Sequence, residues 1–175
     1  MVIVSFSGRK NGNCEQISRY IAEQVGGEVF SFADFSIEPC GKCEYECFKD
    51  RERCPYIEDM EVKLLEAITE SDVAYFVIPN YCDYPNATFF IFNERSQCYF
   101  QDRPEILEKY LKVSKKVVVI SNTGEENFRK AMEYQAEEET KFLFLAAKEF
   151  GKKSIDGDLM SSEAVRERIK NFING

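Results

Sequence analysis

Residues 73–78 form an unbroken apolar run, and a polar loop, residues 79–85, follows it directly. The run shows no alternation of polar and apolar side chains, so both of its faces are expected to be covered by other elements. Six residues are too few for a buried helix, but they suit a central strand of a parallel sheet. Ligands of open α/β sheets bind at the carboxyl ends of the strands. We therefore expect the loop 79–85 to face a ligand.

The length and the charge of the chain limit its function. Its 175 residues suit one domain, predicted to span residues 1–175, and its net charge of −8 opposes binding to nucleic acid or to anionic membranes. The N-terminus lacks the pattern of a signal peptide, and no apolar run approaches the length that spans a membrane. A cytoplasmic protein is expected.

The chain has seven cysteines and no histidine. Because the cytosol keeps thiols reduced, the cysteines are expected to be free thiols or metal ligands rather than disulfides. The absence of histidine removes Ser-His-Asp triads, Cys-His pairs and histidine-ligated metal sites. No catalytic side chain is predicted, and demanding chemistry is expected to depend on a cofactor.

A second strand is expected at residues 1–6, followed by the loop 7–13 and a helix that ends at Gly26. The N–H groups at such a helix entry attract anions, and Ser7 and Arg9 add a hydroxyl and a permanent cation. A phosphate is therefore predicted here. The alternative is an ordinary turn in which Asn13 caps the helix.

The loop 7–13 has neither the lysine of a P-loop nor the three glycines of a dinucleotide fingerprint. A mononucleotide is the remaining candidate for the phosphate-bearing ligand.

Strands and helices alternate along the rest of the chain, which predicts an α/β fold with a doubly wound parallel sheet of five strands and helices on both faces. Strands are predicted at 28–32, 116–121 and within 153–160, and helices at 57–68, 87–95, 104–111, 125–150 with a bend, and 162–173. A cysteine-rich insertion at about 39–56 interrupts the pattern.

Two motifs resemble the flavodoxin-like NAD(P)H-dependent FMN reductases and iron–sulfur flavoproteins. The family's Ser-x-Arg-x-x-Gly-Asn-Ser/Thr loop is matched by Ser7, Arg9, Gly12 and Asn13, with Cys14 in place of the hydroxyl residue. Its strand ending in Pro-Val/Thr-Tyr and the later Asp-Arg pair are matched, at the family's spacing, by residues 79–81 and 94–95.

The loop 79–85 also departs from the family at two positions. Asp83 stands where the family commonly has glycine, and Phe90 where it commonly has lysine. These changes predict an altered pocket for the flavin ring.

The resemblance implies that the chain binds FMN, takes hydride from NAD(P)H and works as a homodimer. The implied cofactor-binding residues are Ser7, Arg9, Asn11, Gly12, Asn13, Cys14, Pro79, Asn80, Tyr81, Cys82, Asp83, Asn122, Thr123 and Gly124.

The cysteine-rich insertion resembles the compact motif of the iron–sulfur flavoproteins, although its spacing differs. The resemblance implies that Cys40, Cys43, Cys47 and Cys54 ligate a four-iron, four-sulfur cluster. Zinc would accept the same four thiolates, and buried thiols without any metal are the third possibility.

The predicted function is an FMN-dependent oxidoreductase that moves electrons from NAD(P)H to a small-molecule or protein acceptor. One alternative is an iron–sulfur flavoprotein that receives electrons from a ferredoxin and never binds a nicotinamide. Another is a flavodoxin-like binding protein without catalysis.

Overall fold

A parallel sheet organises the fold of the computed structural model, which describes residues 1–41 and 43–175. Its strand order is β2-β1-β3-β5-β6, and the two-residue strand β4 pairs antiparallel with the end of β3. The strands are β1 (Val2–Ser5), β2 (Glu28–Ser31), β3 (Val73–Tyr81), β4 (Tyr84–Pro85), β5 (Ser114–Ser121) and β6 (Lys141–Ala146). No helix among the described residues is long and apolar enough to span a membrane.

Helices cover both faces of this sheet. On one face, α1 (Asn13–Val25) and α6 (Glu163–Asn174) pack against the strands. The opposite face carries α2 (Met60–Thr69), α3 (Ala87–Phe100), α4 (Pro104–Lys112) and α5 (Glu126–Met132). The predicted doubly wound α/β architecture, with five parallel strands, is confirmed.

Strand β3 is buried on both faces, as its unbroken apolar run predicts. Phe76 and Ile78 point into the core beneath α2 and α3, whereas Tyr75 and Val77 point into the core beneath α1 and α6. The strand runs three residues beyond the predicted end at residue 78, because Pro79 still pairs in register with Ile120 of β5.

The last strand lies elsewhere than predicted. Residues 125–150 were expected to form one bent helix, but α5 ends at Met132 and β6 occupies Lys141–Ala146. Strand pairing explains the difference, because β6 pairs parallel with β5 from Lys116 to Ser121. The interval 153–160, where the last strand was predicted, contains loop, turn and the start of a short 3-10 helix, Leu159–Ser161.

A buried lysine in β5 lacks a carboxylate partner in the described structure. Lys115 is 1% exposed, its ammonium donates a hydrogen bond to the Tyr110 carbonyl, and it stands 4.0 Å from the centre of the Tyr110 ring. Burial lowers the pKa of Lys115 from 10.5 to about 7. Between these two values the unfolded chain binds more protons than the folded chain does, so Lys115 makes stability rise with pH.

Replacing this lysine by an apolar side chain of similar length should therefore stabilise the protein at neutral pH. We expect Lys115→Met to raise the free energy of unfolding at pH 7 by on the order of 1–3 kcal/mol, with the gain shrinking toward pH 10. Urea unfolding at a series of pH values measures this difference. The exposed Lys109→Met is the matched control, and an equal, pH-independent effect of both substitutions would contradict the argument.

Candidate functional site

One cavity lies at the carboxyl edge of the sheet, where β1, β3 and β5 end. It measures about 430 Å³, within the usual range of ligand sites. It is lined by Ser7, Arg9, Gly12, Asn13, Cys14, Pro79, Asn80, Tyr81, Cys82, Ile120, Asn122, Thr123, Ser154 and Ile155. Loops from three strands and from the segment before α6 thus share one site.

The loop 7–13 supplies the anion-binding wall of this cavity. Helix α1 begins at Asn13, and the first N–H groups of a helix have no acceptor within the helix, so they are available to an anion. A Cβ atom on Gly12 would lie 3.1 Å from the Arg9 carbonyl oxygen, so glycine keeps this turn tight. The cavity wall combines these N–H groups with the Ser7 hydroxyl and the Arg9 guanidinium.

A carboxylate competes for this wall from within the chain. Glu15, 3% exposed in the first turn of α1, accepts a hydrogen bond from the backbone N–H of Asn11 and forms an ion pair with Arg19. Asn11, whose φ is 56°, does not line the cavity. One of the predicted anion donors is thus bound to a negatively charged side chain.

The Cys14 thiol stands beside the Ser7 hydroxyl, at the position where the family has a hydroxyl residue. Burial raises the pKa of Cys14 to about 12, and the hydrogen bond with Ser7 opposes this shift. Cys14 is therefore a neutral thiol that lines the cavity, and it offers a weaker hydrogen-bond donor than a serine would.

Residues 152–158, named here the cover segment, close the cavity over the loop 7–13. The Asn13 amide donates to the Ser154 carbonyl at 2.8 Å, and the Arg9 guanidinium donates to the Ile155 carbonyl. The Gln16 amide donates to the Gly157 carbonyl at 2.6 Å. This contribution to the site is missing from the sequence-based prediction, because the segment itself carries no recognisable motif.

Asn80 joins the loops that follow β3 and β5. Its side chain is buried and donates to the Ser121 hydroxyl at 2.9 Å and to the Gly124 carbonyl at 2.7 Å. It also accepts a hydrogen bond from the Thr123 hydroxyl at 3.2 Å. Asn80 therefore fixes the distance between two walls of the cavity.

The turn between β3 and β4 has an uncommon backbone conformation. Cys82 and Asp83 both have positive φ, 52° and 71°, as the two central residues of a tight type I′ hairpin require. The Asp83 carboxylate accepts hydrogen bonds from the backbone and the side-chain amide of Asn127 at 3.2 and 3.0 Å. These bonds hold aspartate where the family commonly has glycine.

Eleven of the fourteen predicted cofactor-binding residues line the cavity, and three do not. The three outside the lining are Asn11, Asp83 and Gly124, each of which supports a loop instead. A Cβ atom on Gly124 would lie 3.1 Å from the Asp83 carboxyl group, so the loops after β3 and β5 are in close contact there. Ile120, Ser154 and Ile155 are lining residues that the prediction omits.

A second cavity of about 380 Å³ adjoins the first and shares Asn122 and Thr123 with it. Three cations, Arg129, Lys148 and Arg168, line it beside β6, and two lining carboxylates, Glu125 and Glu149, pair with Arg129 and Arg168. Its floor includes two stacked aromatic rings, Phe142 and Phe144, whose centres are 5.8 Å apart. The Arg129 guanidinium lies over both rings, at 4.7 and 4.8 Å from their centres, so Lys148 is the lining cation that is left for an anionic ligand.

Arg95 anchors the cysteine-rich insertion to helix α3. Its guanidinium is 2% exposed and donates to the Glu38 carbonyl at 2.8 Å. It also pairs with the carboxylates of Asp59 at 2.8 Å and Glu61 at 3.0 Å. Although burial disfavours the charged form, these carboxylates raise the pKa of Arg95. One buried cation thus holds both ends of the insertion.

Cys47 and Cys54 lie near two further thiols, those of Cys40 and Cys98. Cys47 and Cys54 are buried, and both lie near the thiol of Cys98 on α3; Cys54 and Cys98 line the same small cavity. Burial and these two neighbours raise the pKa of Cys98. Sequence reasoning did not connect Cys98 with the insertion, because more than forty residues separate it from Cys54.

Within residues 1–41 and 43–175, no three cysteine, aspartate or glutamate side chains are grouped so that they could hold a metal ion. Ligation of a cluster by Cys40, Cys43, Cys47 and Cys54 stays a prediction without support from this geometry.

No protein-family model and no curated protein matches the sequence. Several solved structures are similar over nearly the whole chain. Smu.1420 from Streptococcus mutans UA159 has a TM-score of 0.67 and 13% identity, with 99% of this chain and 98% of that one covered. The Trp repressor binding protein from Bacillus subtilis has a TM-score of 0.63 and 11% identity, covering 98% and 96%.

A third similar structure is FerB, a flavoenzyme NAD(P)H:(acceptor) oxidoreductase from Paracoccus denitrificans. Its TM-score is 0.56 at 12% identity, with 99% of this chain and 93% of that one covered. At these identities the comparisons show the architecture, and the chain therefore has a flavodoxin-like α/β fold.

Proposed function

We propose that this protein is an FMN-dependent oxidoreductase that receives electrons from NAD(P)H and passes them to a further acceptor. The observation that carries the proposal is the single cavity that joins an anion-binding helix entry to the loops after β3 and β5. FerB, which shares the fold, is a flavoenzyme that uses NAD(P)H. Bound FMN would supply the redox chemistry.

The phosphate of FMN suits the wall formed by the loop 7–13. Ser7 and Arg9 would bind it together with the first N–H groups of α1, and the helix dipole adds partial positive charge there. The cover segment places Ser154 and Ile155 over the same part of the cavity. These residues would bind, orient and shield the phosphate, and none of them needs to ligate a metal or to transfer a proton.

The flavin ring suits the other end of the cavity. Residues 79–82 and 122–123 would hold it, because Asn80 ties the two loops together at a fixed distance. Tyr81 is 65% exposed at the cavity rim and offers an aromatic surface there. A rigid loop pair of this kind positions the ring and keeps one part of it open to a second substrate.

The second cavity supports a nicotinamide donor over a pure electron carrier. It adjoins the proposed ring site through Asn122 and Thr123. Lys148 lines it, and among the ion pairs of the described residues Lys148 has no carboxylate partner. A dinucleotide has a diphosphate that such a cation would bind. The carrier that depends on a ferredoxin needs no cavity of this kind.

The oligomeric state and the cluster stay predictions. A homodimer rests on the resemblance alone. A four-iron, four-sulfur cluster on Cys40, Cys43, Cys47 and Cys54 rests on the same resemblance, and the proposed function does not require it.

Uptake of FMN tests the proposal directly. We expect the purified protein to bind FMN with a quenched or shifted flavin spectrum. Arg9→Ala should weaken binding about tenfold or more, because a charge-assisted hydrogen bond to the phosphate is lost. Lys10→Ala is the matched control, since this neighbouring cation faces Asp34 at 3.5 Å instead of the cavity. Fluorescence titration measures both; protein that leaves the spectrum of added FMN unchanged refutes the proposal.

Removing the charge of Glu15 should have the opposite effect. We expect Glu15→Gln to tighten FMN binding several-fold, because a carboxylate bonded to the Asn11 N–H repels a phosphate at the same loop. The increase should shrink at high ionic strength. Glu23→Gln, on an exposed position of the same helix, should leave the affinity unchanged. Equal affinities of the Glu15→Gln and the unaltered protein would place the phosphate elsewhere.

Reduction by a nicotinamide separates the reductase from the carrier. We expect anaerobic addition of NADH or NADPH to bleach the absorption of bound FMN, and Lys148→Gln to raise the concentration that gives half of the maximal rate. Lys170→Gln, an exposed lysine of α6 outside the cavity, is the control. Stopped-flow absorbance measures the rates. Bound FMN that neither nucleotide bleaches would favour the ferredoxin-dependent carrier.

A further inference from the structure

Three thiols meet at the contact between the cysteine-rich insertion and helix α3. Cys98 lies on α3, lines one small cavity together with Cys54, and has Cys47 as a further neighbour. Cys47 and Cys54 are 6% and 7% exposed, whereas Cys98 is half-buried. All three are free thiols in this structure. A disulfide needs only two such neighbours, and two are available to Cys98.

Arg95 keeps the partners of Cys98 in place. It lies one helical turn before Cys98, so the two side chains project from neighbouring positions of α3. Arg95 donates to the Tyr56 carbonyl at 3.5 Å and stacks on the Tyr56 ring at 4.4 Å. Tyr56 is two residues beyond Cys54, so this buried contact fixes the chain next to the Cys54 thiol.

Cys54, rather than Cys47, shares a cavity with Cys98. A small cavity between the insertion and α3 is lined by Cys54 and Cys98 together with Arg95 and Tyr56, and Cys47 does not line it. This cavity measures about 10 Å³, which is too small for a disulfide oxidant, so the oxidant must approach from the surface of the protein. Cys98 is the more exposed of the two thiols, so its sulfur is the first to react with the oxidant.

We propose that Cys54 and Cys98 form a reversible dithiol–disulfide couple that links the cysteine-rich insertion to helix α3. With a glutathione-type disulfide as oxidant, the Cys98 sulfur bonds to one sulfur of the oxidant and releases one small thiol. The Cys54 sulfur then attacks the Cys98 side of the mixed disulfide and releases the second small thiol. The two protein thiols lose two electrons and two protons, and the two released thiols carry them away.

This couple goes beyond the proposed flavin chemistry and needs no FMN. It is also incompatible with a cluster that uses Cys54 as a ligand, because one sulfur cannot serve both bonds. Since buried thiols exchange slowly, the equilibrium state, and not the initial rate, is the quantity to measure.

The test uses the full chain, purified under nitrogen with a reductant that is then removed. The protein is brought to equilibrium with mixtures of reduced and oxidised glutathione, its free thiols are blocked with iodoacetamide, and trypsin peptides are analysed by mass spectrometry. Trypsin cuts after Lys49, Arg53 and Arg95, so Cys47, Cys54 and Cys98 lie in different peptides. The position of any disulfide is then read directly.

The expected result is a loss of two thiols, from seven to five per chain, with the Cys54 and Cys98 peptides joined. Cys98→Ser should lose no thiol pair, and Cys43→Ser, a control in the same insertion, should behave like the unaltered protein.

Seven free thiols throughout, a pair that excludes Cys98, or the same loss in Cys98→Ser would each overturn the couple. Four iron atoms and acid-labile sulfide per chain would overturn it as well, by placing Cys54 in a cluster. Failure of FMN binding would leave this result unaffected, so the two proposals fail separately.

Discussion

The parallel pairing of β3 with β1 on one side and β5 on the other is the constraint on which the candidate site depends. Parallel strands must all end at one edge, so the loops after β1, β3 and β5 meet whatever their individual sequences are. The register extends to the pairing of Pro79 with Ile120, and both of these residues line the cavity. Burial of β3 on both faces fixes that register, because a slip of one residue would exchange its two apolar faces. The core therefore sets the position of the site to within one residue.

Several residues at this edge adopt a backbone conformation or carry a charge that is locally unfavourable, and contacts with neighbouring residues offset the cost. Cys82 and Asp83 occupy the left-handed region, which costs on the order of 1–2 kcal/mol for a residue with a side chain. The bonds from Asn127 to Asp83 and the network around Asn80 offset that cost. Glu15 places a negative charge at the helix entry, yet its contact with Asn11 orders the loop 7–13 before any anion arrives. The edge is thus organised in advance of its ligand.

Local patterns predicted the parts of the site that lie next to buried strands, and long-range contacts determined the rest. The runs at residues 73–78 and 116–121 end in polar loops, so the sequence was enough to identify Asn80 and Asn122 as site residues. In contrast, β6 has no boundary signal, and only its pairing with β5 makes residues 141–146 a strand rather than a helix. Ser154 reaches the site through bonds to Asn13 and Asn122, which lie far away in the sequence. No periodicity within residues 152–158 encodes those bonds.

The cysteine-rich insertion shows how a long-range contact can change an inference from composition. Gly41, Glu44 and Lys49 make the insertion a poor packing element on their own, which favoured metal ligation as the reason for its order. The structure provides another reason, because Arg95 binds the carbonyls of Glu38 and Tyr56 and the carboxylates of Asp59 and Glu61. A guanidinium with five donors can satisfy several acceptors at once, and burial strengthens the short bonds to Glu38, Asp59 and Glu61. Since Arg95 orders both ends of the insertion, its thiols need no metal to be held near Cys98, and they remain available for exchange with one another.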